Sequence, residues 1–319
     1  MIIAAQAARQ GTSVPIDAAH FDCDVMVVGL ARNCAGTIED VVTSMTAAMS
    51  MFACVHWYVV ESDSDDSTTA ALERLRDGMP NFDFVSLGRL RDSIPLRTAR
   101  IAHCRNAYLR EVQARLDTAR VKSLGVADLD GVTSLLTETA ISSCWSRKDW
   151  DVCTANQDGP YYDVWALRHP EWCPGDCFRE MRYLRRHGRS KHSAALAAVY
   201  AKMLTIPPSA DWVAVDSAFG GLAVYRAHLL RGVSYVGLAE DGQEVCEHVS
   251  LHQQIRAAGG KIYINPKMIN ASFTEHSQYW LERAEIAAET YRPLFRAMLR
   301  VAFDNKKRQA LRRMLDSAS

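Results

Sequence analysis

Apolar runs alternate with amphipathic stretches along the first third of the chain. The stretch 24–33 carries consecutive β-branched apolar residues, which predict a buried parallel strand ending in a glycine-containing turn. Thr37 then stands at an N-cap position, and the apolar residues after it recur at helical spacing. The runs 55–60 and 82–87 predict two more strands, with a helix at 68–76 between them. This order predicts a parallel sheet with a ligand site at the carboxyl ends of its strands.

The alternation continues through the rest of the chain. Apolar spacing predicts a helix over 98–116, and the run 121–130 predicts a strand that closes on Asp128-Leu129-Asp130. The other predicted elements are a helix at 135–143, a basic helical segment at 178–205, strands at 213–215 and 217–225, a helix starting near Glu247, and a strand at 261–265 closed by Pro266. We therefore expect a Rossmann-like α/β fold with a mostly parallel central sheet flanked by helices, without the G-x-G-x-x-G or P-loop fingerprint.

Composition sets the expected domain organisation. The chain has 319 residues, of which 48% are hydrophobic and 23% charged, enough for one large α/β domain or two smaller ones with a sizeable core. We expect a flexible lead-in over 1–20 and a single domain over 21–290. Basic and apolar residues over 291–319 predict a cationic amphipathic C-terminal helix, which either packs its apolar stripe on the core or contacts a membrane peripherally through 291–315.

Charge and cysteine content narrow the functional classes. The formal net charge is zero, which gives no reason to expect nucleic acid as a partner. Nine cysteines, an odd number, fit reduced thiols in a cytoplasmic protein better than a disulfide framework. The N-terminal apolar run is interrupted at Gln6 and Arg9, so it resembles neither a signal peptide nor a membrane span.

The pair Asp128 and Asp130 is the strongest candidate for chemistry. Residues two apart share a face of a strand, so both carboxylates can reach one cation at the end of the strand. Paired carboxylates suit Mg²⁺ or Mn²⁺ bridging a diphosphate. The Asp-x-Asp pattern also occurs at Asp22/Asp24, Asp63/Asp65 and Asp149/Asp151. Only the Asp128 pair closes a strand near the middle of the alternating pattern, and this position favours it.

A group of arginines lies near the start of the helix over 98–116. Arg97, Arg100 and Arg105 could there meet an anion together with the helix dipole. For any one of these arginines, a solvated basic face is the commoner explanation.

A long insertion follows the Asp128 strand and its helix. Residues 145–176 are rich in Trp, Tyr, Cys, Gly and Pro, a composition typical of a loop that wraps a substrate. Cys173 and Cys177 lack a second Cys or His pair at zinc-finger spacing and are expected to be free thiols. The basic run 182–192 is expected to face solvent. The Gly220-Gly221 pair would permit close backbone approach to a ligand.

The order of these features resembles the GT-A class of nucleotide-sugar glycosyltransferases. The resemblance rests on VVGLARN, VVESDSDDST, RTARIAHCRNAYL, DLDG, GGLAVYRA and CEHVSLHQQIRAAGGKIYINP, which together cover roughly residues 24–276. Within the class, the chain is most similar to capsule-associated α-mannosyltransferase-like proteins of family 69, and more distantly to the large inverting family 2. The resemblance implies a GT-A-like fold with a nucleotide-binding half at about 21–144 and an acceptor half at about 145–290.

The resemblance also assigns residues to the nucleotide. Glu61 would hold its base or ribose, with Asp63 in the same acidic loop. Arg97 or Arg105 would lie near its phosphates, and Asp128 near its ribose. The donor implied is a GDP- or UDP-linked nucleotide-diphospho-sugar.

Catalysis would rest on a second set of residues. Asp128 and Asp130 would bind Mn²⁺ or Mg²⁺, and His276 would complete the metal site. Glu247 falls where inverting members have a general base, whereas in a retaining reaction it would only orient acceptor or donor. Family 2 has Glu-Asp where this chain has Glu247-His248, and the insertion over 145–177 has no counterpart there.

The leading hypothesis is a metal-dependent hexosyltransferase, with mannosyl transfer suggested by the family 69 resemblance, that acts on a saccharide or lipid-linked acceptor in surface polysaccharide synthesis. One rival is a sugar nucleotidyltransferase, but the first loop lacks the Gly-rich basic signature for a triphosphate. Another rival is a non-catalytic binding subunit of a polysaccharide assembly complex. The intact pair Asp128/Asp130 argues against such a subunit.

Overall fold

The computed structural model describes three ranges of the chain: residues 21–116, 120–274 and 276–277. The chain divides into one compact unit up to Thr274 and a second from residue 275. The predicted lead-in over 1–20, the domain boundary at 290 and the helix over 291–319 lie outside the described residues. None of the helices in the described ranges is long and apolar enough to cross a membrane.

Strands and helices alternate along most of the described chain. In order they are β1 (Asp24–Ala31), α1 (Ile38–Ala48), β2 (Val55–Glu61), α2 (Thr68–Gly78), β3 (Phe82–Ser86), α3 (Arg97–Arg115), β4 (Val121–Asp128), α4 (Glu138–Ser142), β5 (Val152–Gln157), α5 (Cys177–Arg186), α6 (Lys191–Ala198), β6 (Val213–Val215), β7 (Leu222–Arg226), α7 (Glu247–Ala257) and β8 (Ile262–Ala271). Short 3-10 turns follow α4 and α6.

The strands form one sheet in the order β3-β2-β1-β4-β7-β5-β8-β6. β1 pairs in parallel with β2 and β4, β2 pairs in parallel with β3, and β5 pairs in parallel with β8. β7 runs antiparallel to both β4 and β5, and β6 runs antiparallel to β8. Six of the eight strands of this sheet therefore point the same way, and the predicted α/β fold with a mostly parallel central sheet is confirmed.

The register of the parallel strands brings two acidic strand ends to one edge of the sheet. Ala31 of β1 pairs with Glu61 of β2, and the preceding Leu30 pairs with Asp128 of β4. Glu61 and Asp128 therefore lie on either side of β1, separated by two strand spacings, or about 10 Å. This is the edge at which ligands bind in open α/β sheets.

The sheet separates two apolar cores. Met26 and Val28 of β1 face the core covered by α3 and α7, whereas Val25 and Val27 face the core covered by α1 and α2. This alternation follows from the pleat of the strand. Each fully buried aliphatic side chain contributes roughly 1.5–3 kcal/mol to folding, so apolar burial fixes the sheet from both faces.

One central strand was not expected from the sequence. β5 lies inside the predicted insertion over 145–176 and pairs with β7 and β8 in the sheet. Its Thr154, Asn156 and Gln157 are fully buried polar residues, so the strand shows neither an apolar run nor an alternating pattern. Only the rest of that insertion is loop.

The prediction that Pro266 closes the last strand is wrong. β8 continues through it to Ala271, and its register with β5 shifts between the pairs Thr154/Ile264 and Asn156/Ile269. Proline has no N–H to give to a ladder, so it is accommodated at this irregularity. The Asn156 side chain donates to the Pro266 carbonyl over 3.0 Å and fills the gap in the ladder.

Candidate active site

The pair of aspartates at the end of β4 is presented as strand alternation predicts. Leu129 is buried, whereas the side chain of Asp128 is 36% exposed and Asp130 is exposed. Leu129 fits against β1 because Gly29 has no side chain there: a Cβ on Gly29 would lie 2.6 Å from the Leu129 Cγ. The packing of Leu129 thus fixes the backbone between Asp128 and Asp130.

A buried arginine connects this pair to a third carboxylate. The Arg105 Nη2 of α3 lies 3.5 Å from the Asp128 Oδ1, and its Nε donates to the Glu247 Oε1 over 2.8 Å. The Arg105 Nη1 donates to the Tyr108 hydroxyl, which donates to the Tyr235 hydroxyl, each over 3.1 Å. The end of β4, the middle of α3 and the start of α7 therefore meet at one charged cluster. The roles of Arg105, Asp128 and Glu247 in binding and catalysis stay predictions.

The charge of this cluster is predominantly negative. Loss of solvation raises the pKa of Asp128 to about 7, and the Arg105 guanidinium opposes this rise. The carboxylates of Asp130, Asp163 and Glu247 raise the pKa of Asp128 further. A bound cation would relieve the cost of keeping these carboxylates ionised close together.

The residues present fit a divalent ion that takes part of its shell from substrate. Asp128 and Asp130 supply hard oxygen ligands, and Mg²⁺ or Mn²⁺ can fill its other positions with water and phosphate oxygens. No group of three His, Cys, Asp or Glu residues in the described ranges is arranged to hold a metal. His276 belongs to the second unit, and its role as a ligand stays a prediction.

The acidic residues at the end of β2 are engaged by the chain itself. Glu61 is 3% exposed; its Oε1 accepts from the Ser64 N–H over 3.0 Å, and its Oε2 accepts from the Ser86 hydroxyl. The Asp63 Oδ1 accepts from the Arg91 backbone N–H over 2.9 Å, and its Oδ2 lies 3.5 Å from the Arg100 Nε. Their roles in nucleotide binding stay predictions.

The arginines near the start of α3 led us to predict an anion there. In the structure, the carboxylate of Glu244 lies at this helix start. The Glu244 Oε1 accepts from the Thr98 N–H over 2.9 Å and from its hydroxyl over 3.1 Å. The backbone hydrogen bond from Thr98 lowers the pKa of Glu244. Arg97 is exposed beside this contact, and its role near phosphates stays a prediction.

The insertion supplies residues that the sequence did not single out. The Gly220 N–H donates to the Asp163 Oδ2 over 3.0 Å, and the Asp128 N–H donates to the Gly221 carbonyl over 2.9 Å. Gly221 has a φ of +84°, and a Cβ there would lie 2.6 Å from the Tyr162 hydroxyl. The glycine pair thus lets the insertion approach the backbone of Asp128. The only sequence signals for this contact were Tyr162-Asp163 in the aromatic stretch and the Gly-Gly pair.

Two histidines of α7 are buried behind the charged cluster. Burial lowers the pKa of His252 to about 3, and its ring nitrogens lie 2.8 Å from the Ser217 hydroxyl and 2.9 Å from the Tyr225 hydroxyl. Burial also lowers the pKa of His248, whose ring stacks on Phe219 with centroids 3.8 Å apart. Both imidazoles are therefore neutral side chains that support the first turns of α7.

Comparison with known proteins finds distant structural likenesses. No protein-family model matches the chain, and no curated protein matches it. The mannosyltransferase PcManGT from Pyrobaculum calidifontis, in complex with GDP-Man and Mn²⁺, is 15% identical with a TM-score of 0.46, over 86% of this chain and 65% of that one. S. aureus TarS 1–349 is 12% identical with a TM-score of 0.47, over 84% and 65%. Glucosyl-3-phosphoglycerate synthase from Mycobacterium tuberculosis, in complex with UDP, is 15% identical with a TM-score of 0.38, over 84% and 76%.

These likenesses are too distant to assign an activity. The chain spans less than two thirds of the length of the first two structures, and each of the three TM-scores is below 0.5. The resemblance to family 69 therefore stays a prediction, and the function must be argued from the site itself.

Proposed function

We propose that the chain is a metal-dependent glycosyltransferase that moves a sugar from a GDP- or UDP-linked nucleotide-diphospho-sugar to a saccharide or lipid-linked acceptor in surface polysaccharide synthesis. One observation carries the proposal. Asp128 and Asp130 end a central parallel strand, at the ligand-binding edge, with no hydrogen bond from any described side chain and one ion pair, to Arg105.

Asp128 and Asp130 would hold the divalent ion, which would supply positive charge beside the leaving diphosphate. Arg105 adds a fixed positive charge beside Asp128, on the protein side of the proposed ion. Its guanidinium is buried and held by Glu247 and Tyr108, so it needs little reorganisation when a phosphate binds.

Glu247 has two roles open to it within this proposal. Its Oε1 accepts from Arg105, which holds the guanidinium against Asp128. Its Oε2 has no partner among the described residues and could accept the proton of an acceptor hydroxyl in an inverting reaction. In a retaining reaction, Glu247 acts only by orienting Arg105.

The insertion would bring the acceptor to the donor site. Burial raises the pKa of Tyr162, and the nearby carboxylates of Asp128 and Asp163 raise it further. Asp163 also accepts a hydrogen bond from the Gly220 N–H. This contact brings the insertion to the end of β4, beside the proposed metal. It supports the proposal that the insertion contributes to the acceptor site.

The test is a thermal-shift screen of the whole chain against UDP, GDP, CDP and their common sugar conjugates, each with Mn²⁺ and with EDTA. A ligand at about 100 times its Kd adds roughly 2.7 kcal/mol of stability, which for a chain of this size means a midpoint rise of roughly 4 °C. We expect such a rise with one nucleotide, only with Mn²⁺.

Matched variants separate the proposed site from general effects. Asp128→Asn and Asp130→Asn should each abolish the Mn²⁺-dependent rise. Asp149→Asn is the control because it removes a carboxylate of another Asp-x-Asp pair, one that is paired with Arg147. Binding without sugar transfer to any acceptor would favour a non-catalytic subunit, and a rise with nucleoside triphosphates alone would favour a nucleotidyltransferase. A rise that survives in both aspartate variants would remove the metal site from consideration.

A further inference from the structure

The helix α5 has one face in the protein and one face in solvent. Its Phe178, Met181 and Leu184 pack on a small apolar core formed with residues of α6 and the turn after it. Arg179, Tyr183, Arg186 and His187 recur at positions i, i+4, i+7 and i+8 and are all exposed. We call these four residues the α5 surface. The first part of the basic run, up to Arg186, therefore lies on a packed helix whose exposed side carries a tyrosine between arginines.

The α5 surface lies in a segment with a large excess of positive charge. Residues 177–192 contain six arginine and lysine residues and one acidic residue, Glu180, whereas the whole chain has a formal net charge of zero. Glu180 is already paired with Lys202. The following cations have no ion pair with any described residue: Arg179, Arg185, Arg186, Arg189 and Lys191. The cations of this surface are therefore available to an external anion.

The apolar content of the same region is also unusual. Tyr183 is 60% exposed, the most of any large hydrophobic residue in the described ranges, and its ring lies over that of His187 with centroids 4.1 Å apart. Leu196 of α6 and Leu204 after it are 40% and 50% exposed. The exposed aromatic ring between Arg179 and Arg186 adds apolar area to an otherwise ionic surface, a combination that suits the boundary between water and lipid.

We propose that the α5 surface docks on an anionic phospholipid membrane. Arginines next to an exposed aromatic ring match the interface of a bilayer, where guanidinium groups meet headgroup phosphates and an amphipathic ring sits at headgroup level. The exposed leucines favour lipid over nucleic acid, since aliphatic side chains gain free energy from acyl chains and not from bases. This proposal does not depend on the proposed enzymatic activity.

The test is flotation of the full chain with phosphatidylcholine vesicles and with phosphatidylcholine–phosphatidylglycerol vesicles. We expect binding only to vesicles with phosphatidylglycerol, weakened by high salt because the contact is electrostatic. The double variant Arg179→Gln/Arg186→Gln should lower the partition coefficient roughly 30-fold, from about 1 kcal/mol for each arginine near an anionic surface. Tyr183→Ser should weaken binding while leaving its salt dependence unchanged.

The control double variant is Arg110→Gln/Lys122→Gln, which makes the same change in net charge at exposed positions on α3 and β4. It should bind as the parent does. Equal binding by the parent and the α5 double variant would overturn the proposal and assign any membrane contact to another part of the chain, including the predicted helix over 291–319. An equal loss in the control would also overturn it, as would binding to a single-stranded oligonucleotide without binding to vesicles. Because the substituted side chains are exposed, an unchanged thermal midpoint checks that each variant is folded.

Discussion

Two pairs of carboxylates lie at the ends of two parallel strands on either side of β1, at the same edge of the sheet, yet their surroundings differ. Glu61 and Asp63, at the end of β2, accept from the Ser86 hydroxyl and from backbone N–H groups, and Asp63 also pairs with two arginines. Asp128 and Asp130, after β4, receive no hydrogen bond from a described side chain. The first pair therefore stabilises the loop in which it lies, whereas the second has lone pairs that no described side chain uses.

The comparison shows that a cluster of acidic residues indicates a ligand site only when the hydrogen-bond partners of its carboxylates are also known. A buried carboxylate that loses its donors costs about 1–3 kcal/mol, so the chain must keep the β2 pair satisfied. The β4 pair instead carries an electrostatic cost, visible in the raised pKa of Asp128, that a bound cation would relieve. The predictions below test this division between structural and ligand-binding carboxylates.

The largest effect is expected at Asp130. Asp130→Asn should lower sugar transfer by about 100-fold or more, because the proposed ion loses a charged ligand. The free energy of unfolding should change by less than about 0.5 kcal/mol, because the side chain is exposed and has no partner among the described residues. Steady-state kinetics and urea unfolding measure the two quantities. A large loss of stability with activity retained would reverse the proposed division.

The second-largest effect is expected at Asp63, in the pair of carboxylates at the end of β2. Asp63→Asn should lower the free energy of unfolding by roughly 2–3 kcal/mol, because Arg91 and Arg100 lose a charged acceptor. Asparagine tolerates the φ of +62° at this position, so Asp63→Ala should cost more. Urea unfolding measures both. Asp65→Asn, at an exposed carboxylate facing the same Arg91, is the control and should cost much less.

A pH experiment extends the comparison to a buried group with all partners satisfied. The pKa of His252 is about 3 in the folded chain and about 6.5 when unfolded, so the unfolded chain takes up a proton that the folded chain does not. Stability from this group is complete above pH 6.5 and is lost as the pH falls toward 3, by about 2 kcal/mol at pH 5.

Urea unfolding at several pH values measures this slope. His252→Gln should reduce the loss between pH 7 and pH 5 by that amount. Ser217→Ala removes a hydrogen bond to the same ring, so it should lower stability at every pH and keep the slope. A parent slope that His252→Gln leaves unchanged would show that this histidine is not the group responsible.

The smallest effect is expected at Ser86. Ser86→Ala removes the hydroxyl that donates to the Glu61 Oε2 and leaves a buried acceptor oxygen with one partner fewer. We expect a loss of about 1 kcal/mol in the free energy of unfolding. Ser86→Thr keeps a hydroxyl and should recover most of it. A change in nucleotide binding without a change in stability would instead assign Glu61 to the ligand.

The predictions that the structure confirms rest on local patterns of apolar and polar residues. β1, β2, β4 and the helices between them follow from apolar runs and helical spacing, because each of these elements buries a regular face. The sequence also placed Asp128 and Asp130 at a strand end and Glu247 in a first helical turn. These positions follow from the period of the strand and helix alone.

The parts that failed depend on contacts between distant segments. β5 was missed because Asn156 and Gln157 are buried polar residues whose partners come from other strands and turns. Asp163 was missed because its role depends on a loop that folds over Gly220. The carboxylate of Glu244 at the start of α3 likewise lies 146 residues from its partner Thr98. No periodicity in a single sequence encodes such pairings.

The fit of Leu129 against Gly29 couples two positions that are one hundred residues apart. Neither residue carries a functional group, yet a methyl group at position 29 would collide with Leu129 and displace the acidic residues on both sides of it. Substitutions at these two positions should therefore be epistatic: Gly29→Ala is less harmful with a smaller side chain at 129 than with leucine, and the cost that remains comes from the Ala127 carbonyl, 2.8 Å from the new Cβ. The positions of the two carboxylates therefore depend on how closely Leu129 can pack against the neighbouring strand β1.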